Sequence, residues 1–74
     1  MRKKVDIQYL KRFGESLKSL RLAKEITQAQ LAIDCDVDVS VISRIERGAV
    51  NTSLSNLQLI AQSLNIETKE LFNF

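Results

Sequence analysis

Apolar residues recurring at intervals of three and four, in a chain without a single proline, leave helix as the dominant secondary structure open to this sequence. Ile7, Leu10, Phe13, Leu17 and Leu20 form one stripe of a first helix over residues 7 to about 24, which Asp6 starts as N-cap. Gly14 inside it costs about 1 kcal/mol relative to alanine, so it marks either the close approach of another helix or a tolerated surface position. Thr27 with Gln30 three residues on has the Thr-x-x-Gln form of a capping box, opening a second, short helix that carries Leu31 and Ala32 inward. It stops near Cys35 and Asp36, where an aspartate accepts left-handed backbone geometry. Asp38 reads as the side-chain cap of a third helix with Ile42 and Ile45 inward, closed by Gly48. After a loop to Ser53, either Ser53 or Ser55 caps a fourth helix with Leu57, Ile60, Ala61 and Leu64 buried. A last turn from about Glu67 ends in Leu71, Phe72 and Phe74.

The fold class is therefore all-α, a compact bundle of four to five helices. At 74 residues the chain supports one core, divided into a basic arm over residues 1–6 and a folded domain over 7–74. The arm either wraps DNA or is a disordered start. No apolar run exceeds three residues, against the roughly 20 needed to span a membrane, so no membrane partner and a cytoplasmic location are expected. One cysteine forbids an internal disulfide and suits a reducing compartment. With no histidine and only two glycines, Cys-His metal sites, serine triads and glycine-rich phosphate cradles are absent from the sequence. No metal, no cofactor and no enzymatic activity are expected. Charge is unevenly spread: residues 1–24 hold most of the Lys and Arg, while residues 25–43 carry Glu25, Asp34, Asp36 and Asp38 with no base. A basic first helix either follows a phosphate backbone or is simply a solvated face.

Two short helices separated by about three residues form a helix-turn-helix pattern over residues 28 to 47. The stretch Thr27-Gln28-Ala29-Gln30-Leu31-Ala32, followed by Val37 through Ile42 and Ser43-Arg44-Ile45-Glu46-Arg47-Gly48, resembles the Cro/cI-type helix-turn-helix domain of phage repressors and XRE-type bacterial regulators. Leu20-Arg21 and the segment Ser53 to Leu64 extend the resemblance to about residues 13–72. Size and standalone form also resemble the controller proteins of restriction-modification systems.

With Ile42 and Ile45 inward, the outward positions of the third helix are Val39, Ser40, Ser43 and Arg44, with Arg47 a turn further along. These are the candidate DNA readers. Arg44 suits a bidentate contact to guanine N7 and O6, Ser40 and Ser43 donate or accept, and Val39 suits a thymine methyl. The resemblance implies that Gln28 contacts phosphate and supports a side chain of the recognition helix, and that Asn51 and Ser53 touch the backbone. Glu46 is repelled by phosphate near the groove; the resemblance pairs it instead with Arg21. The family often has glycine where this chain has Asp36 and proline where it has Thr52, and the second change leaves the loop less rigid.

The function so implied is sequence-specific double-stranded DNA binding by a small transcriptional regulator. One module reads too few base pairs to specify a site, so a homodimer on a palindromic operator is expected, joined through Ile66, Leu71, Phe72 and Phe74, with Leu54 and Leu59 nearby. Two other classes fit the bundle: an antitoxin-like protein-interaction module with secondary DNA contact, and a non-specific nucleic-acid binder, which the net charge of +2 disfavours.

Overall fold

A computed structural model describes residues 5–74 as four α-helices and a closing 3-10 turn: α1 (Ile7–Ala23), α2 (Gln28–Cys35), α3 (Val39–Glu46), α4 (Leu54–Ser63) and the turn Thr68–Phe72. There is no strand among the described residues. Residues 1–4 of the expected basic arm lie outside them.

The helix starts follow from their caps. Asp6 accepts from the Tyr9 amide at 3.0 Å, Thr27 Oγ1 from Gln30 at 3.0 Å and Ser53 Oγ from Asn56 at 3.1 Å, so Ser53 and not Ser55 begins α4. Two expectations fail in detail. The Gln30 side chain does not return to Thr27; it donates to Asp34 one turn along at 2.9 Å, leaving half a capping box. Asp38 occupies the N-cap position of α3 with extended backbone, but its carboxylate accepts no capping bond. A reciprocal link the pattern reading missed starts the last turn, where the Glu67 amide donates to Glu70 Oε2 at 2.8 Å.

All four helices end in the same way. In α1 the Ile26 amide reaches back to the Arg21 carbonyl and the Glu25 amide to that of Leu22, and matching pairs close α2, α3 and α4. The closing residues Glu25, Asp36, Gly48 and Asn65 all have left-handed backbone, φ 56° to 70°. Only Gly48 adopts this without a side-chain penalty. Ile26, Val37 and Ile66, next in sequence to three of these residues, turn back onto the core and complete each stop with an apolar contact.

The core comprises Phe13, Leu17, Leu31, Ala32, Cys35, Ile42, Ile45, Leu57, Ile60, Ala61, Leu64 and Leu71. The α1 stripe is rotated from the one expected. Ile7 is exposed because the first turn of α1 lies outside the core, while Gly14 and Arg21 join Phe13 and Leu17 on the buried face. Leu71 must also be reassigned. It is fully buried, the plug of the core at its C-terminal end, and so is removed from the proposed dimer contact. Phe72 and Phe74 remain part-exposed and stack within the chain, Phe72 on Phe13 at 5.1 Å and Phe74 on Tyr9 at 5.4 Å between ring centroids.

Candidate nucleic-acid interface

Residues 28–46 form two helices joined by the turn at Asp36 to Asp38, with α3 lying across α1 and α2. The inward side of α3 is Ile42, Ile45 and Glu46, all buried. Helical geometry then turns Val39, Ser40 and Arg44 outward, and they are exposed; Ser43 is half-buried between the two faces. The Arg44 guanidinium has no ion-pair partner among the described residues. Arg47, just past the helix, is exposed and folds back so that its Nε donates to the Ser43 carbonyl at 3.3 Å, a cation over the negative end of the helix.

Two contacts fix the attitude of α3. The first is backbone on backbone: a Cβ at Gly14 would lie 2.5 Å from the Ile45 carbonyl oxygen and closer still to that of Glu46. Gly14 thus marks a helix crossing, not a surface position. The second is an ion pair. Arg21 Nε donates to Glu46 Oε2 at 2.6 Å and Nη2 to Oε1 at 3.0 Å, with both side chains more than nine-tenths buried. Arg21 Nη1 also donates to the Ile26 carbonyl at 2.8 Å. The hydrogen bond to Glu46 raises the Arg21 pKa above its already high ordinary value, against the opposing effect of burial, so the pair stays charged on the arginine side. No buried side-chain polar atom among the described residues lacks a partner.

Gln28, half-buried at the start of α2, donates from Nε2 to Glu46 Oε1 at 2.9 Å. One carboxylate on α3 therefore ties α1, α2 and α3 together. Spacing alone did not announce this three-way junction, since its members lie 25 and 18 residues apart in sequence. Asn51 and Ser53 are exposed on the loop that leaves α3. A further link missed from sequence holds this loop: Asn56 Nδ2 donates to Thr52 Oγ1 at 3.1 Å. Its signal was an Asn and a Thr four positions apart at a helix start.

Asp34, Asp36 and Asp38 are exposed around the turn, where they oppose a polyanion. The described residues contain no cluster of three or more His, Cys, Asp or Glu suited to a metal ion, and no helix long and apolar enough to cross a membrane.

A family model described as helix-turn-helix matches residues 17–71. The chain belongs to the helix-turn-helix family. Within that family it is 40% identical over 63 residues to the control protein C.BamHI of Bacillus amyloliquefaciens, covering 84% of this chain and 78% of that protein. It is 43% identical over 63 residues to the control protein C.MunI of a Mycoplasma species, covering 84% and 85%. The crystal structure of the restriction-modification controller protein C.AhdI from Aeromonas hydrophila superposes with a TM-score of 0.84 at 43% identity, over 85% of this chain and 96% of that one. This helix-turn-helix protein is accordingly a DNA-binding transcriptional regulator of the Cro/cI (XRE) type. Both named relatives are control proteins.

Proposed function

We propose that two copies of the chain bind a palindromic operator, each inserting α3 into the major groove of one half-site. The observation that carries this is the split of α3 into an anchored side, Ile42, Ile45 and Glu46, and an outward side on which Arg44 has no ion-pair partner among the described residues. On this reading Arg44 contacts guanine, Val39, Ser40, Ser43 and Arg47 shape the rest of the readout, and Gln28, Asn51 and Ser53 meet phosphate. Such contacts divide into those that specify and those that hold register. The likeness to named controllers supports a role as a binding protein, not an enzyme, which acts in the cytoplasm on the genes of a restriction-modification system.

For the dimer, the burial of Leu71 moves the favoured face toward α4. From Gly48 to Ile66 the chain has no charged residue, yet Leu54 and Leu59 on α4 are exposed at 82% and 40%. Charge depletion combined with exposed apolar side chains is the composition of an interface core. A segment without charge also meets its own copy across a two-fold axis without like-charge repulsion. Leu59, Ile66, Phe72 and Phe74 are the proposed contacts.

Selection from random duplexes tests both parts together. The retained sequences carry two inverted half-sites centred about 34 Å, one helical turn, apart, and Leu59→Asp sediments as a monomer at tens of micromolar and loses the paired-site preference. A single unrepeated motif, or a dimer indifferent to Leu59→Asp, contradicts the proposal.

A further inference from the structure

The absence of charge from Gly48 to Ile66 has a consequence for the loop between α3 and α4. Any phosphate contact there is made by neutral donors, Asn51 and Ser53, and by backbone amides. A lysine attracts phosphate over several ångströms and works from a loose loop, whereas an amide or hydroxyl contributes only near 3 Å and in line. Neutral contacts therefore require a loop that is already in place. Among the described residues no backbone hydrogen bond ties down Val50, Asn51 or Thr52.

Two side chains do so. Val50 is half-buried against the core beside Phe13 and Leu57. Asn56, half-buried in the first turn of α4, grips the other end: its backbone amide donates to Ser53 Oγ and its Nδ2 to Thr52 Oγ1, both at 3.1 Å. Because Thr52 Oγ1 accepts, its own proton stays free, and the bond costs the loop no donor.

We infer that Asn56 is a positioning residue for DNA binding. It makes no contact with the duplex, and through Thr52 it holds Asn51 and Ser53 where phosphate oxygens pass. The inference rests on the assignment of Asn51 and Ser53 as phosphate contacts made above. A clasp of this kind restrains a segment that no backbone hydrogen bond ties down among the described residues.

The test compares Asn56→Ala, Thr52→Val, their double variant and Asn51→Ala on a duplex selected by the wild type and on an unrelated duplex. Asn56→Ala keeps the Ser53 cap on its backbone amide, and alanine is a good helix former, so the fold persists. Asn56→Ala and Thr52→Val each weaken binding about 3- to 10-fold, the span of one net hydrogen bond. The double variant is no worse than either single, because both remove the same bond. The loss is equal on both duplexes, since phosphate contacts carry no sequence information. Amide exchange at Val50 to Thr52 quickens, while the melting temperature stays within a few degrees.

Unchanged affinity in Asn56→Ala, additive losses in the double variant, or a loss confined to the selected duplex overturns the inference. If Asn51→Ala weakens binding and Asn56→Ala does not, only the positioning role fails. If Asn51→Ala has no effect, the loop contact itself fails.

Discussion

Gly14→Ala lowers the stability of this protein by about 3 kcal/mol, at the upper end of what overpacking costs. The sign is what makes the result informative. In an exposed helix interior the same replacement adds up to about 1 kcal/mol, because alanine has the better helix propensity. Here the added methyl meets the Ile45 and Glu46 carbonyl oxygens, which are backbone and cannot rotate away. Relief requires α1 and α3 to separate, which loosens Ile42 and Ile45 and pulls Glu46 from Arg21. A domain of this length has roughly 4–11 kcal/mol in total, so the variant melts about 12–24 °C lower. Urea or thermal unfolding measures it, and a Gly14→Ala variant as stable as the wild type contradicts the close crossing of α1 and α3.

The second large effect lies at the ion pair. Glu46→Ala leaves Arg21, a residue 6% exposed, without its counter-charge, and costs about 3–5 kcal/mol. Arg21→Ala costs a similar amount for the opposite reason. Converting both to apolar residues of similar size, Arg21→Met with Glu46→Leu, recovers most of the lost stability, because no charge is then left buried alone. DNA affinity does not recover with it, since Gln28 loses its acceptor and α3 its tie to α2. Unfolding and duplex binding measured on the same three variants separate the two effects. A double variant as unstable as Glu46→Ala contradicts the charge argument. Full recovery of affinity contradicts the role of the pair in orienting α3.

The parts of this architecture that were legible in the sequence are those fixed by local rules. The spacing of Ile42 and Ile45 set the inward side of α3, and Asp6 and Thr27 stood where a side-chain acceptor starts a helix, with Ser53 one of two candidates for the same place in α4. Asp36 and Gly48 marked left-handed stops. Glu25 and Asn65 did the same work unnoticed: a glutamate in that geometry follows from tertiary packing and not from its own preference, whereas Asn65 was a legible signal that was passed over. Periodicity put Ile7 on the buried stripe, but a period says which side of a helix is apolar and not where the bundle ends. Leu71 shows the converse: apolar residues at the end of a chain give no sign of which is core and which is surface, and the 3-10 turn decides it by sending Leu71 in and leaving Phe72 part-exposed.

At the interface the same division holds. The outward set Val39, Ser40 and Arg44 follows from helix geometry once two inward residues are known. The Arg21–Glu46 pairing came from family resemblance, because nothing local connects residues 25 positions apart. The resemblance implied that Gln28 supports a side chain of α3 but did not name Glu46 as that side chain, and the Asn56 clasp was invisible because amide side chains carry no periodicity and their partners are set by how the helices meet.

On the proposed function, the exposed side of α3 reads base pairs and Arg44 does most of the reading. The most direct measurement is the affinity of Arg44→Ala for the duplex selected by the wild type and for versions with each base pair changed in turn. A loss of about 1–3 kcal/mol per half-site is expected, with relaxed preference at one G·C pair in each half-site and an unchanged melting temperature, because the Arg44 side chain makes no ion pair among the described residues. Wild-type affinity with every base preference intact would contradict it.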